Sequence, residues 1–389
     1  MKFATAAVHS GQQPDPATGA TIPPIHVTST YTQASPGVNQ GYEYSRTDNP
    51  TRHNLEQCLA ALEGGKAAAA FGSGLAATTA VVHALLRPGD SLLACGDLYG
   101  GTYRLFERVF RPWGLDARYA DSTDAGAFAR LLDSSTRLIW IETPTNPMLR
   151  LLDIAAIAQV AREANARRAA DRRILLVVDN TFATPALQRP IELGADLVVH
   201  STTKYLGGHS DVIGGAVISV DAARLEPIRF YQNAAGGVPG AFDCYLTQRG
   251  IKTLHLRMAR HCENALQIAR WAAGRREFER VIHPGLESHP DHALARRQMA
   301  GSGGIVTCVL AGGLDAAKRF LERTRLFACA ESLGGVESLI SHPATMTHAS
   351  VPRERRARLG VVDGLVRLSV GIEDPADLIA DLEAAFGPV

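Results

Sequence analysis

The residues with chemical potential in this chain stand where apolar runs end. Asp196-Leu-Val-Val-His200 leads directly into Ser201-Thr202-Thr203-Lys204-Tyr205, followed by Leu206-Gly207-Gly208-His209. A lysine held behind a strand end, among hydroxyls and glycines, has what Schiff-base chemistry requires. Its amine must reach a carbonyl, and a partly desolvated pocket lowers its pKa so that a fraction is neutral. Ile174-Leu-Leu-Val-Val178 likewise ends in Asp179-Asn180-Thr181, and an aspartate there would hold a buried cationic nitrogen protonated. In isolation Lys204 reads as a surface lysine and Asp179 as a cap or turn residue. Their combination at successive strand ends favours a site.

Other candidates follow the same logic. Ser201 and Thr203 flank Thr202 with hydroxyls suited to phosphate oxygens. Phe71-Gly72-Ser73-Gly74-Leu75 is a small-residue turn that opens a helix, where free backbone N–H groups and the helix dipole favour an anion. It has neither the Gly-Lys-Ser/Thr of a Walker loop nor the dinucleotide spacing, and its serine does not fit the nucleophile elbow of hydrolases. Tyr99, after Ser91-Leu-Leu-Ala-Cys95, has the ring to stack on a planar ligand; an ordinary interfacial tyrosine is the alternative. Arg367 sits inside the apolar Leu365-Val-Arg-Leu-Ser369 and wants a carboxylate, from the protein or from a substrate. Asn146 is an amide suited to a ring oxygen or a carboxylate, or to a turn before Pro147. His200 and His209 bracket Lys204 without further ligands at metal spacing, so no metal site is expected.

The elements that must position these residues are readable. After Thr51 a helix over Asn54–Leu62 is stopped by Gly64-Gly65. Short apolar runs without alternation, at 91–95, 137–141, 174–178 and 197–200, are separated mostly by helical stretches such as Ile154–Ala164. That pattern indicates a mostly parallel sheet covered on both faces, with ligands at the carboxyl ends of its strands. Ala67–Leu86, 20 residues without Asp, Glu, Lys or Arg, has the length of a membrane span. Its Gly, Ser, Thr and His content reads better as a buried strand, a turn and a helix. From about Ala241 a long helical segment leads into a smaller α+β region, with strands near 279–282, 305–310 and 365–370 and a closing helix at 375–386. The expected organisation is an arm at 1–50, a large domain at 51–245 and a C-terminal α+β domain at 246–389. The proline-rich arm allows no periodic helix and is expected to cover another surface or a neighbouring subunit.

Composition bounds the rest. The 389 residues carry 40 Lys+Arg against 39 Asp+Glu, with 46% hydrophobic and 20% charged residues. This is globular composition, and the neutral balance offers no footprint for nucleic acid or an anionic membrane. Six scattered cysteines without a CxxC pair read as free thiols of a reducing compartment. No secretory leader is visible, so a cytoplasmic location is expected.

With these residues in view, Asp196 to Ser210 resembles the cofactor-attachment segment of the Cys/Met-metabolism family of pyridoxal-phosphate enzymes, the trans-sulfuration group. Similar motifs run in family order along nearly the whole chain: Tyr42-Glu43-Tyr44-Ser45-Arg46, Ser73-Gly74-Leu75-Ala76, Tyr99-Gly100-Gly101-Thr102, Glu142-Thr-Pro-Thr-Asn146-Pro147, Val178-Asp179-Asn180, Glu331-Ser332-Leu-Gly-Gly335 and Arg367-Leu-Ser369. The resemblance implies fold-type I, an aspartate-aminotransferase-like large domain with a smaller α+β partner, and pyridoxal 5'-phosphate as cofactor. It implies that Lys204 carries the cofactor and acts as acid and base at substrate Cα and Cβ. Asp179 would face the ring nitrogen and Tyr99 would stack on the ring and assist proton transfer. Gly74, Leu75, Ser201 and Thr203 would bind the phosphate, joined by Tyr44 and Arg46 of a neighbouring subunit, in a homotetramer built from catalytic dimers. Arg367, Ser332 and Asn146 would clamp an amino-acid carboxylate. Glu331, Glu43 and Arg104 resemble γ-specific members, and a distal carboxylate suits the far ammonium of cystathionine. The implied reaction is α,γ-elimination from L-cystathionine, with a β-elimination side activity; γ-replacement on an O-activated homoserine and cystathionine β-elimination are the alternatives. Gly207, often Asn in the family, and Cys329, often Leu, depart from the pattern.

Overall fold

The computed structural model describes residues 1–387. Seven strands form the larger sheet: β1 (Ala67–Phe71), β2 (Ser91–Cys95), β3 (Asp116–Ala120), β4 (Thr136–Glu142), β5 (Leu175–Asp179), β6 (Leu197–Ser201) and β7 (Gly215–Ser219). Their order is β1-β7-β6-β5-β4-β2-β3, and β7 alone pairs antiparallel to its neighbours. Each face is covered. On one, Phe71, Trp140, Val177 and Val199 pack with helices Gly74–Leu85 and Ile154–Asn165. On the other, Ala68, Ala70, Val198 and Ile218 pack with helix Pro50–Glu63 and with Ile251, Leu254 and Met258. Burial on both faces is why β4, β5 and β6 are written as unbroken apolar runs.

The punctuation follows local chemistry. Asn49 caps helix Pro50–Glu63 by accepting from the N–H groups of Thr51 and Arg52, and Gly64 ends it in the left-handed conformation at φ 74°, which glycine adopts without steric penalty. The uncharged stretch at 67–86 is β1, a turn and helix Gly74–Leu85, whose N-cap Ser73 accepts from Ala76 N–H. Among the described residues no helix is long and apolar enough to cross a membrane.

A second sheet, ordered β10-β11-β12-β9-β8, contains β8 (Phe278–Ile282), β9 (Ile305–Leu310), β10 (Ala328–Cys329), β11 (Leu339–Ser341) and β12 (Leu365–Ser369). It shares a core with helices Gly313–Arg323 and Pro375–Phe386. The change from one core to the other falls inside helix Leu254–Ala273: Leu254 and Met258 belong to the first domain's core, Ala265 to Ala272 to the second's.

Two features differ from the sequence reading. The arm does contain a helix, Phe3–His9, whose Ala6 and Ala7 are buried in the core shared with helix Pro50–Glu63. Seven residues are too few to persist alone, so tertiary packing holds it. The strand β7, which the sequence reading does not identify, follows β6 through the Lys204 loop and pairs antiparallel to it.

Candidate active site

A cavity of about 830 Å³ opens at the carboxyl ends of β4, β5 and β6, with the segment Ala330–Leu333 along its wall. Glu142, Asp179 and Ser201 stand at those three strand ends and all line it, together with Tyr99, Asn146, Thr203, Lys204, Ser332 and Arg367. The lysine and aspartate at successive strand ends therefore share one space, as the topology of parallel strands requires.

Lys204 Nζ donates to Ser332 Oγ at 2.8 Å. Burial, reinforced by the nearby Arg367 cation and opposed by Glu331, brings the lysine pKa down to about 8. Ser332 holds this partner from a strained backbone, at φ 114°; such conformations cost about 1–3 kcal/mol and persist where the surroundings impose them. Asp179 Oδ1 accepts from Thr181 N–H at 3.0 Å, and burial raises the aspartate's pKa. Thr181 also ties the two strand ends together, its hydroxyl accepting from Ser201 N–H at 2.9 Å.

Arg367 is buried on β12 and reaches across from the smaller domain. Its Nη1 donates to Asn146 Oδ1 at 2.9 Å and its Nη2 to the Ser332 carbonyl at 2.7 Å, while its Nε is buried without a partner. No carboxylate lies within ion-pair distance of it among the described residues, so the cation is offered to a ligand. Asn146 is fixed in turn by His348. Burial pushes that imidazole down to about 4, so it is neutral. Its Nε2–H points at the carbonyls of Asn146 (3.1 Å) and Leu98 (3.3 Å), while Nδ1 meets Thr347 Oγ1. One side chain thus pins the segments that carry Asn146 and Tyr99.

The opposite end of the cavity is formed by Ser73, Gly74, Leu75, Thr78, Ser201 and Thr203, all uncharged. Helix Gly74–Leu85 starts here, and the turn lies so close to β6 that a Cβ on Gly74 would sit 2.9 Å from Ser201 Cβ. The helix N-terminus and the Ser201 hydroxyl border a space that suits an anion, while the Thr203 hydroxyl is engaged by Gly214, donating to its carbonyl at 3.2 Å and accepting from its N–H at 3.0 Å. Of the other candidates, Glu331 lines the mouth as an exposed carboxylate. Glu43, Tyr44, Arg46 and Arg104 are not among the residues lining the cavity of their own chain. Arg46 instead donates to the Asn233 carbonyl at 2.7 Å, and Arg104 is exposed on helix Gly100–Leu105. Sequence reasoning gave no role to Glu142 or Thr181. A lone charge ending the apolar β4, and a hydroxyl two residues past Asp179, were the available signals.

The donor set fits pyridoxal phosphate. It provides an amine of lowered pKa, a carboxylate for a cationic ring nitrogen, an aromatic face and an anion cradle that a glycine Cβ would fill. The Cys/Met metabolism PLP-dependent enzyme profile matches residues 4–387. The chain is 52% identical over 385 residues to a cystathionine γ-synthase of Mycobacterium bovis, covering 99% of this chain and 96% of that protein. It is 51% identical over 384 residues to a cystathionine β-lyase of Coxiella burnetii, with coverages of 98% and 97%. The crystal structure of cystathionine γ-lyase from Lactobacillus plantarum complexed with L-serine superposes with a TM-score of 0.94 at 43% identity, covering 99% of this chain and 98% of that one. Site, fold and sequence agree: the chain belongs to the Cys/Met-metabolism family of pyridoxal-phosphate-dependent enzymes, with the fold-type I architecture.

Proposed function

We propose that this enzyme cleaves L-cystathionine by α,γ-elimination, with water, to cysteine, 2-oxobutanoate and ammonia. The observation that carries the reading is that one cavity is lined by a buried cation without a carboxylate partner and by an exposed carboxylate. Arg367, without a carboxylate of its own, faces Lys204 from one side, and the exposed Glu331 stands at the mouth. A substrate bearing an α-carboxylate near the lysine and a second, distal ammonium is complementary to that arrangement.

Bound in the cavity, pyridoxal phosphate supplies an electron sink for charge developing at substrate Cα. Arg367, steadied by Asn146, grips the α-carboxylate and so fixes which Cα bond faces Lys204. Ser332 Oγ keeps the amine near its working place. Lys204, neutral in useful fraction near a pKa of about 8, takes the Cα proton and then serves as acid and base at Cβ, so that the thiolate on Cγ can leave. Asp179 would hold the ring nitrogen protonated, Tyr99 would offer its ring to the cofactor ring, and Ser73 to Leu75, Ser201 and Thr203 would hold the phosphate. Because among the described residues that part of the cavity is lined by no cation beside Ser73 to Leu75, Ser201 and Thr203, Tyr44 and Arg46 are assigned to a neighbouring subunit's phosphate. The chain then works as a catalytic dimer, and we assign a homotetramer of such dimers in the cytoplasm, with the arm at 1–50 as the intersubunit element.

γ-Replacement is the second reading, favoured by the γ-synthase relative at 52% identity. Purified enzyme given cystathionine alone is expected to release 2-oxobutanoate and cysteine. Pyruvate and homocysteine in their place would establish β-elimination. No keto acid from cystathionine, with cystathionine formed from O-activated homoserine and cysteine, would establish the synthase and overturn the proposal.

A further inference from the structure

Glu142 is the buried acid of this site that the mechanism above leaves unused. It ends β4, and in the parallel register of β4 with β5 it lies directly beside Asp179. Its Oε2 accepts from Tyr99 N–H at 2.9 Å, and its own N–H points at Cys95 Sγ at 3.4 Å. The carboxyl is 4% exposed and has no cation within ion-pair distance among the described residues.

Two carboxylates on adjacent strands in a closed pocket repel when both are ionised, so one of such a pair keeps its proton. Asp179 has the ring nitrogen to face; Glu142 meets the backbone N–H groups of Tyr99 and Asn146, which the carbonyl oxygen of a neutral carboxyl also satisfies. We propose that Glu142 is a positioning residue: through the Tyr99 backbone it sets the tyrosine against the cofactor ring, and in its neutral form it leaves Asp179 as the charged member of the pair.

The groups facing Glu142 agree with this assignment. Asp179 on β5 and Asp97 after β2 are acids, and burial together with these two pushes Glu142 well above the usual carboxylate range. Asp97 is itself raised to about 6 by burial. Cys95, at the end of β2, is pushed up by burial and stays a neutral thiol, and the Tyr99 phenol is likewise raised. His348 is neutral. Among the described residues, Arg367 from β12 is a cation that senses Glu142. Acids therefore outnumber cations around it.

The inference rests on the cofactor assignment and not on the choice of amino-acid substrate, so its test reads the cofactor. The holoenzyme and its Glu142→Gln and Glu142→Ala variants are compared by visible absorbance of the bound cofactor from pH 6 to 9.5, and by the rate at which cofactor is lost on dilution. Glutamine keeps the acceptor and removes the proton equilibrium. Glu142→Gln should release cofactor within about threefold of the wild-type rate and flatten the high-pH change of the wild-type spectrum. Glu142→Ala should lose cofactor at least tenfold faster, with a shifted band. A Glu142→Gln protein that loses cofactor as fast as Glu142→Ala would overturn the proposal by showing that the charge is needed. A Glu142→Ala spectrum and release rate equal to wild type would overturn it by removing the positioning role. If Glu142→Ala does not fold, the Glu142→Gln profile decides alone: an unaltered high-pH limb refutes the proposal and a flattened one supports it. A wild-type chain that binds cofactor but does not cleave cystathionine would refute the proposed function and leave this test intact.

Discussion

Lys204 is where burial and charge act most directly on chemistry, because its amine reacts only when neutral. Burial lowers its pKa from 10.5 to about 8, Arg367 adds to the shift and Glu331 opposes it. The sign follows: in protein stripped of cofactor, capture of added pyridoxal phosphate should quicken about tenfold per pH unit below the midpoint and level off above pH 8. An ordinary lysine would go on gaining to beyond pH 10. Arg367→Met should move the midpoint up, since a like charge is removed, and Glu331→Gln should move it down. Rapid-mixing absorbance across pH 6–10 measures all three. Shifts of both variants in the same direction would contradict this account of the site's field.

At the scale of elements, the distances are set by backbones. The turn before helix Gly74–Leu85 approaches β6 so closely that only glycine fits at 74, whereas a Cβ on Gly72 would meet nothing nearer than the Val238 carbonyl at 3.5 Å. Gly74→Ala must push the turn from Ser201, at about 1–3 kcal/mol for an overpacked contact, and it spoils the anion cradle at the same time. A lowered melting temperature and at least tenfold weaker cofactor binding are expected for Gly74→Ala, with both near wild type for Gly72→Ala. Equal behaviour of the two variants would dissociate the close approach from phosphate binding. The same scale decides what was legible in the sequence. β4, β5 and β6 announce themselves because strands buried on both faces are continuous apolar runs, and the residues at their ends had to be the site. β3 hides because it is an edge strand in which the half-buried Asp116, Arg118 and Tyr119 break up any apolar run, leaving only Ala117 and Ala120 buried. Helix Phe3–His9 hides because its stability comes from a core assembled far along the chain. Glu142 could be seen as a motif residue, but its partner is the backbone of Tyr99, 43 positions away, and no local pattern records such a pairing.

At the scale of the whole molecule, the cavity is asymmetric. One end has Arg367 and Lys204, while the end built from Ser73, Gly74, Leu75, Ser201 and Thr203 has hydroxyls and amides only. Among the described residues lining that part, none offers a phosphate dianion a counter-charge. Tyr44 and Arg46, with the Arg46 guanidinium 5.6 Å from the Tyr44 ring centroid, are exposed on an arm that carries further uncovered apolar residues such as Val27 and Val38. If a two-fold partner brings this arm to the other subunit's cavity, the two contributions can be separated genetically. Arg46→Ala chains keep their own Lys204 and spoil the neighbour's phosphate site; Lys204→Ala chains do the reverse. Each homo-oligomer should be nearly inactive. Co-refolded in equal amounts, half the dimers are mixed and each mixed dimer regains one intact site of two, so about one quarter of wild-type activity should return. A mixture as inactive as its two parents would mean that Arg46 acts within its own chain, because in that case every site lacks either the arginine or the lysine; an active Arg46→Ala homo-oligomer would mean that it has no such role.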